Sequence, residues 1–311
     1  MRAVVIRSFG GPEVLEIAEV AMPVPGPGQV RIRVAAAAVH PVDLHTRSGG
    51  LADAGLMVPR DVIGLGWDVA GTIDEIGSGD LGFAFGDEVF GLSDRLDVPL
   101  GTHADHVVLD ATAVAHAPRT VSLIEAAAVP LGALTAVQSL DLLALTAGQT
   151  VLITGAAGAV GGFAVELAVA QGLRVAATAH VEDEALVRKL GAEWFVPRGA
   201  RLGEAVRALV PGGVDGAVDA ASLGAEALDA VRSAGVFAAV VGGAEPVGLR
   251  GIRVANTWIR ADGRRLDELA ALVDAGRLTP RVADSLPLHL VADAHHRLAA
   301  GGLRGRLVLV P

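Results

Sequence analysis

The chain has 311 residues, of which 52% are hydrophobic and 19% charged, and its formal net charge is −10 at pH 7. This charge argues against nucleic-acid binding through a basic face, and no uninterrupted apolar run approaches the ~20 residues that span a bilayer. The absence of cysteine excludes disulfides and thiolate metal ligands, and the absence of tyrosine removes the phenol as a proton donor. Because the first residues have no apolar h-region, we expect no signal peptide and a cytoplasmic protein.

The first 117 residues are predicted to form short strands separated by Gly and Pro turns. Residues 29–39 begin with strict apolar and polar alternation, which is typical of a half-buried strand. The proline-rich segment Pro23–Gly28 ends one run before the next begins. The predicted strands of this region are Val14–Val20, Gln29–Val39, Trp67–Gly77, Gly86–Leu92 and Ala104–Asp110.

After Pro118 the pattern changes. Ser122 and Glu125 have the spacing of a capping box and are predicted to open a helix that runs to Leu145, with a break at Pro130–Gly132. Strands and helices then alternate, which predicts a doubly wound parallel sheet. The predicted strands are Val151–Thr154, Arg174–Ala179, Glu193–Pro197, Val214–Ala220, Val236–Gly243 and, at the end of the chain, Arg306–Pro311. The predicted helices are Val160–Gln171, Ala185–Leu190, Leu202–Leu209 and one that ends near Ala234.

A glycine-rich turn, Gly155–Gly162, follows a predicted strand and opens a predicted helix. Aligned on the dinucleotide-binding fingerprint, Ala156, Gly158 and Gly161 occupy its three glycine positions. Gly158 would let the backbone approach a pyrophosphate at the helix N terminus, and Gly161 would permit close packing of helix on strand. We therefore predict a dinucleotide site here; the alternative is a turn in a sheet that binds nothing.

Motifs along nearly the whole chain resemble the zinc-free branch of the medium-chain dehydrogenase/reductases, the quinone oxidoreductase and enoyl reductase group. The resemblance implies a GroES-like, mainly-β catalytic domain of residues 1–117 plus 258–311. A Rossmann dinucleotide-binding domain of residues 118–257 would be inserted into it, with the active site in the cleft between the two. The matching segments are Pro23–Val34, Ala35–Gly49 with His40 where Asn is usual, Val62–Gly77, Phe85–Gly91, Ala126–Ala136, Leu266–Val282 and Arg304–Leu309.

The resemblance also bears on assembly and metal content. Relatives commonly form homodimers through the edge of the dinucleotide-binding sheet, and Ile252–Ile259 is the candidate edge strand. Zinc-dependent relatives bind catalytic zinc with cysteine and a Gly-His-Glu segment, whereas this chain has Gly66-Trp67-Asp68 and no cysteine. We therefore expect no metal; the alternative is an N/O metal site formed by His40, Asp43 and His45.

Without a metal, hydride transfer to a conjugated C=C is the easier chemistry, and solvent or a histidine must supply the proton. By resemblance His40 lies in the cleft, and an imidazole pKa near ~6.5 suits proton donation. The alternative is a polar cap that satisfies backbone groups. Thr135 matches a family position close to the nicotinamide, with a helix-interior threonine bonded to its own backbone as the alternative.

Other candidates are weaker. His103 falls where relatives carry an aromatic residue, but we expect a partly exposed strand histidine. We expect His295 and His296 on the surface of the C-terminal helix. Trp67 and Trp258 either line the substrate pocket or, as we expect, belong to the core.

The choice of nicotinamide cofactor depends on the end of the second strand of the sheet. No acid follows Ala179, where NAD enzymes usually place one; His180 stands there, followed by Glu182 and Asp183. Arg198 follows the third strand, where a guanidinium would pair with a 2′-phosphate. We predict NADPH, with NADH as the alternative. The residues predicted to contact the dinucleotide are Ala156, Gly158, Ala159, Val160, Gly161, His180, Arg198, Val241 and Gly242.

The predicted function is NADPH-dependent reduction of quinones or α,β-unsaturated carbonyl compounds, without a metal. One alternative is an enoyl-thioester reductase, for which a basic stretch could meet the phosphate-containing arm of the substrate. The other is a dinucleotide-binding protein without catalysis. The sequence does not name the small-molecule substrate, because loop shapes determine it. The basic stretch consists of Arg250, Arg253, Arg260, Arg264 and Arg265.

Overall fold

The computed structural model describes residues 1–311 and contains sixteen strands and ten α-helices. The strands are β1 (Arg2–Ile6), β2 (Glu16–Glu19), β3 (Gln29–Val39), β4 (Ile63–Gly64), β5 (Asp68–Ile76), β6 (Glu88–Leu92), β7 (His106–Asp110), β8 (Val114–His116), β9 (Thr150–Thr154), β10 (Arg174–Ala179), β11 (Trp194–Pro197), β12 (Val214–Asp219), β13 (Val231–Ala239), β14 (Arg253–Asn256), β15 (Val282–Pro287) and β16 (Arg306–Val310). The helices are α1 (Pro41–Ser48), α2 (Gly50–Asp53), α3 (Leu123–Ala126), α4 (Pro130–Leu143), α5 (Ala159–Ala170), α6 (Glu184–Lys189), α7 (Leu202–Leu209), α8 (Ala225–Asp229), α9 (Gly263–Asp274) and α10 (Val291–Ala300).

The chain divides into two compact units. Unit 1 comprises residues 1–131, 260–276 and 280–311, and unit 2 comprises residues 132–259 and 277–279. Residues 118–131, which the sequence prediction placed with the dinucleotide-binding domain, therefore lie in unit 1. Residues 258–259 and 277–279, which it placed with the catalytic domain, lie in unit 2. None of the ten helices is both long enough and apolar enough to cross a membrane.

Unit 1 is built on a seven-stranded sheet in which β15, β16, β3, β5, β6 and β8 follow one another and β7 also pairs with β3. The alternation in β3 has the predicted effect, because Val30 and Ile32 are fully buried while Arg33 is exposed. Val30 and Ile32 pack with Ile73 and Val89 in one apolar core. A second, three-stranded sheet has the order β2-β1-β4.

Unit 2 contains a six-stranded parallel sheet with the order β11-β10-β9-β12-β13-β14. The chain leaves β9 toward β11 and then returns to the other side of β9, so the topological switch point lies between β9 and β12. Leu152, Ala176, Ala217 and Phe237 form part of its core. The predicted doubly wound parallel sheet is thereby confirmed.

Two local predictions around the helices have different outcomes. The predicted capping box is present, because Ser122 Oγ accepts the N–H of Glu125 at 3.3 Å and Glu125 Oε2 accepts the N–H of Ser122 at 2.9 Å. The predicted helix that ends near Ala234 is wrong. α8 ends at Asp229, and the β-branched Val231 already pairs with Val214 of the neighbouring strand. Tertiary pairing overrides the helical pattern of this segment.

Candidate functional site

The glycine-rich turn joins β9 to α5, with Gly158 as the N-cap residue of the helix. A Cβ atom at Gly161 would lie 2.2 Å from the carbonyl oxygen of Gly155, so only glycine lets the helix approach the turn this closely. A Cβ atom at Gly158 would lie 3.2 Å from the same oxygen, which is tight but not prohibitive. The N terminus of α5 thus faces the turn that follows β9, an arrangement suited to an anion such as a pyrophosphate.

Residues at the ends of β9, β10 and β11 share one edge of the sheet. In the parallel register Ala179 pairs with Pro197, and the N–H of Arg198 donates to the carbonyl oxygen of Ala179 at 2.7 Å. His180 and Arg198, both exposed, therefore stand side by side at the carboxyl edge, next to the glycine turn. Val241 and Gly242 follow β13 at the same edge. The fold brings all the predicted dinucleotide-contacting residues to this edge.

An acid is also present beside His180. Glu182 Oε2 lies 3.7 Å from His180 Nδ1, and the N–H of Glu182 approaches the same nitrogen at 3.4 Å. Both side chains are exposed. Glu182 therefore adds a carboxylate to the edge at which Arg198 stands.

Asp219, at the end of β12, is a buried residue of this edge that sequence reasoning missed. Its carboxylate accepts the hydroxyl of Thr154 at 2.6 Å and the N–H groups of Leu223 at 3.1 Å and Gly224 at 2.8 Å. It therefore fixes the backbone of the loop after β12, directly at the switch point. An aspartate that ends an apolar strand and precedes small residues was the signal that could have revealed it.

Thr135 lies in α4 and is almost fully buried. Ser139, not Thr135, makes the hydroxyl bond to the preceding helical turn: Ser139 Oγ donates to the carbonyl oxygen of Thr135 at 2.7 Å. The Ser139 hydroxyl also lies 2.8 Å from the hydroxyl of Thr257, so α4 is joined to the segment after β14. Trp258, in that segment, is 64% exposed, and the expectation that it belongs to the core is wrong.

His40 of unit 1 is fully buried and is bonded to a carboxylate. Its Nε2 lies 2.7 Å from Asp68 Oδ2, and Asp68 Oδ1 accepts the N–H of Leu131 at 2.7 Å. The N–H of His40 donates to Asp43 at 2.8 Å, and the second oxygen of Asp43 accepts the N–H of Gly66 at 2.9 Å. Asp43 thus caps the backbone at the start of α1, and the His40 ring does not. His40 Nδ1 is buried without a hydrogen-bond partner.

Two further histidines are buried in unit 1 against expectation. His103 is fully buried outside the strands, with Nε2 3.0 Å from the carbonyl oxygen of Ala38. His295 is also fully buried, with Nδ1 3.2 Å from the Arg47 guanidinium, and burial lowers its pKa to about 4. The predictions of a partly exposed His103 and a surface His295 are wrong; His296 is exposed as expected.

A buried arginine also lies near the carboxylates of this region. Arg306 of β16 is buried, and burial lowers its pKa to about 10, opposed by the nearby carboxylates of Asp68 and Asp43. No group of three or more His, Cys, Asp or Glu side chains is placed to hold a metal ion. Trp67, which is half-buried, lines a pocket of unit 1 together with apolar side chains and two arginines. These other residues are Met57, Ile63, Leu65, Arg60 and Arg95.

Two known families match segments of the chain. Residues 26–119 match the family described as "Alcohol dehydrogenase GroES-like domain", and residues 190–309 match the one described as "Zinc-binding dehydrogenase". Three relatives are each 30% identical over 100% of this chain. They are the 2-methylene-furan-3-one reductase of Solanum lycopersicum (79% of its length), the chloroplastic NADPH-dependent alkenal/one oxidoreductase of Arabidopsis thaliana (80%) and the quinone oxidoreductase of Pongo abelii (98%).

Solved structures show the same architecture. The crystal structure of an NAD-dependent alcohol dehydrogenase superposes with a TM-score of 0.89 at 32% identity, covering 100% of both chains. A mycobacterial protein solved in complex with NADPH superposes with a TM-score of 0.85 at 26% identity, again over 100% of both chains. The chain belongs to the medium-chain dehydrogenase/reductase family, in its quinone oxidoreductase-like group. Its cofactor is a nicotinamide dinucleotide.

Proposed function

We propose that this protein is an NADPH-dependent reductase of quinones or α,β-unsaturated carbonyl compounds that works without a metal. The observation that carries the proposal is the carboxyl edge of the six-stranded sheet. There a glycine turn that admits no side chain at Gly161 lies beside His180 and Arg198. The relatives of the chain are named as alkenal/one, furanone and quinone reductases. Metal independence rests on the absence of cysteine and on Trp67 and Asp68 in place of the zinc-binding pattern.

The preference for NADPH rests on Arg198. Its guanidinium is exposed, follows β11 directly and pairs with no carboxylate, so it is available for a 2′-phosphate. Glu182 beside His180 opposes this preference. The solved relatives include both an NADPH complex and an NAD-dependent enzyme, so the preference for one cofactor depends on the side chains at this edge.

The bound nicotinamide would supply a hydride, and a group of the chain or solvent must donate one proton to the product. We propose that His40 holds this proton. Because Asp68 Oδ2 accepts from Nε2, the neutral ring keeps its proton on Nε2, and Nδ1 is the atom that gains or loses a proton. Solvent is the alternative donor. We also propose that Thr135, joined through Ser139 to the segment after β14, lies close to the nicotinamide.

The proposal is tested by following the loss of reduced-nicotinamide absorbance with quinones, enones and enoyl-thioesters, before and after dialysis against a chelator. We expect turnover with quinones or enones and NADPH, unchanged by the chelator. Turnover that is lost with a stoichiometric metal would contradict the metal-free mechanism, and binding of NADPH without any turnover would favour the non-catalytic alternative.

The basic stretch that an enoyl-thioester substrate would need is already engaged within the chain. Arg250 pairs with Asp229, and Arg264 and Arg265 both pair with Glu268. The remaining two also have partners within the chain: Arg253 donates to a carbonyl oxygen of α4, and Arg260 approaches Asp262. This leaves no free basic rim in the stretch, and we therefore favour small quinones and enones over carrier-bound thioesters.

We make two further proposals, on the roles of the two units and on the assembly of the protein. We propose that unit 2 is the dinucleotide-binding domain and unit 1 the catalytic domain. We also propose a homodimer formed through β14, which lies at the edge of the six-stranded sheet. Light scattering that shows a monomer at micromolar concentration would contradict the dimer. A cytoplasmic location stays a prediction.

A further inference from the structure

Asn256 is the only asparagine of the chain, and its side chain is bonded to nothing. It is the last residue of β14, and both of its amide atoms, Nδ2 and Oδ1, are buried without a hydrogen-bond partner. Burying one unpaired donor and one unpaired acceptor costs free energy that an apolar side chain of similar size would not cost. Such a group requires an explanation, and a ligand that completes its bonds is one.

The amide of Asn256 is covered by the loop after β13 and by Trp258, neither of which supplies it with a polar partner. Asn256 pairs with Ala239 in the parallel register, so the loop after β13 passes beside it. A Cβ atom at Gly242 of that loop would lie 3.3 Å from Asn256 Nδ2 and 3.1 Å from Cη2 of Trp258. Both distances are shorter than ordinary contact, so Gly242 packs closely on the amide and the indole. A ligand reaches the amide only when the Trp258 side chain, which is 64% exposed, moves aside.

The strand order indicates which part of a dinucleotide would reach Asn256. Arg198 follows β11, the glycine turn follows β9 and Asn256 ends β14, all at the carboxyl edge of one sheet. With strands ~4.8 Å apart, Arg198 lies roughly 10 Å from the turn on one side, and Asn256 lies roughly 14 Å from it on the other. A dinucleotide with its pyrophosphate on the turn and its 2′-phosphate toward Arg198 directs its nicotinamide toward Asn256.

We propose that the side-chain amide of Asn256 binds the carboxamide of the nicotinamide ring. A primary amide presents one N–H donor and one oxygen acceptor side by side, and the carboxamide presents the complementary pair. In this proposal the largely exposed Trp258 indole turns aside to admit the ring and offers an apolar face to it. Ser139 and Thr257 anchor the adjacent backbone to α4. The inference rests on the proposed use of a nicotinamide dinucleotide.

The test compares two ligands that differ at this end only. NADPH and 2′-phospho-ADP-ribose, which lacks the nicotinamide ring, are titrated by calorimetry against the wild type, Asn256→Leu and the isosteric Asn256→Asp. We expect both variants to bind NADPH about tenfold or more weakly and to bind 2′-phospho-ADP-ribose as the wild type does. The exposed amide of Gln171 provides a matched control, and Gln171→Leu should change neither affinity.

Two further readouts separate recognition from structure. Without ligand, Asn256→Leu should melt at or above the wild-type temperature, because it removes two unpaired buried atoms. The 3-acetylpyridine analogue of NADPH lacks the carboxamide N–H, so the wild type should bind it more weakly than NADPH and Asn256→Leu should bind the two alike.

The outcomes distinguish this inference from the proposed function. Equal weakening of both ligands, or unchanged affinity for NADPH in both Asn256 variants, would overturn the role of Asn256 and leave the cofactor assignment standing. A wild type that binds neither ligand would overturn the cofactor assignment and this inference with it.

Discussion

Replacing His295 with asparagine should flatten the pH dependence of stability between pH 6.5 and 4. The His295 ring is buried against Arg47, and burial lowers its pKa from 6.5 to about 4. Asp43 opposes this shift, while His103, Arg47 and His296 add to it. Below pH 6.5 the unfolded chain therefore binds a proton at His295, which the folded chain binds only near pH 4.

The sign and size of the effect follow from this difference. Because the unfolded state binds more protons in this window, the stability is fully present above pH 6.5 and falls as the pH drops toward 4. The loss from this one group is about 2 kcal/mol at pH 5 and about 3 kcal/mol at pH 4. His295→Asn keeps an acceptor near Arg47 but does not titrate, so its stability should not show this loss.

Urea unfolding of the wild type and of His295→Asn at neutral pH and at pH 5 measures the difference. The exposed neighbour His296 supplies the control, and His296→Asn should follow the wild-type pH dependence. Equal losses of stability in the wild type and His295→Asn would refute the assignment of a buried, neutral His295.

Four other predictions address the site. Gly161→Ala should lower the melting temperature strongly, because its Cβ atom would lie 2.2 Å from the Gly155 carbonyl oxygen. Gly158→Ala, whose Cβ atom would lie 3.2 Å from the same oxygen, should fold but bind the dinucleotide more weakly. Thermal melts and NADPH titrations of the two variants measure these effects. Arg198→Ala should weaken NADPH by about 1.5–3 kcal/mol and scarcely affect NADH in parallel titrations; equal weakening would make Arg198 structural. His40→Asn should lower kcat without weakening NADPH binding, and an unchanged kcat would assign the proton to solvent. Elemental analysis should find no stoichiometric metal in active protein.

The strongly patterned elements could be predicted from the sequence. The bounds of β3, β10 and α7 are those predicted, because in each the local pattern and the burial required by the fold agree. The glycine turn was recognisable for the same reason: a strand, a turn and a helix follow one another within a few residues. Where local pattern and tertiary pairing disagree, as at Val231, pairing determines the structure.

The polar contacts of the site could not be predicted, because their partners are distant in sequence. His40 and Asp68 are 28 residues apart, and Arg47 and His295 are 248 apart. Nothing in a single sequence reports that these side chains meet in one buried region. The unbonded amide of Asn256 depends likewise on the packing of Gly242 and Trp258, which only the folded chain displays.

The most direct test of the account follows the hydride itself. The protein is incubated with an enone and with NADPH that carries deuterium at both C4 positions of the nicotinamide, and mass spectrometry and NMR locate the label in the product. We predict deuterium at the β-carbon and a solvent-derived hydrogen at the α-carbon, with metal chelator present throughout. Absence of deuterium from the product, or reduction that requires added zinc, would contradict a metal-free transfer from a nicotinamide bound at the carboxyl edge of the sheet.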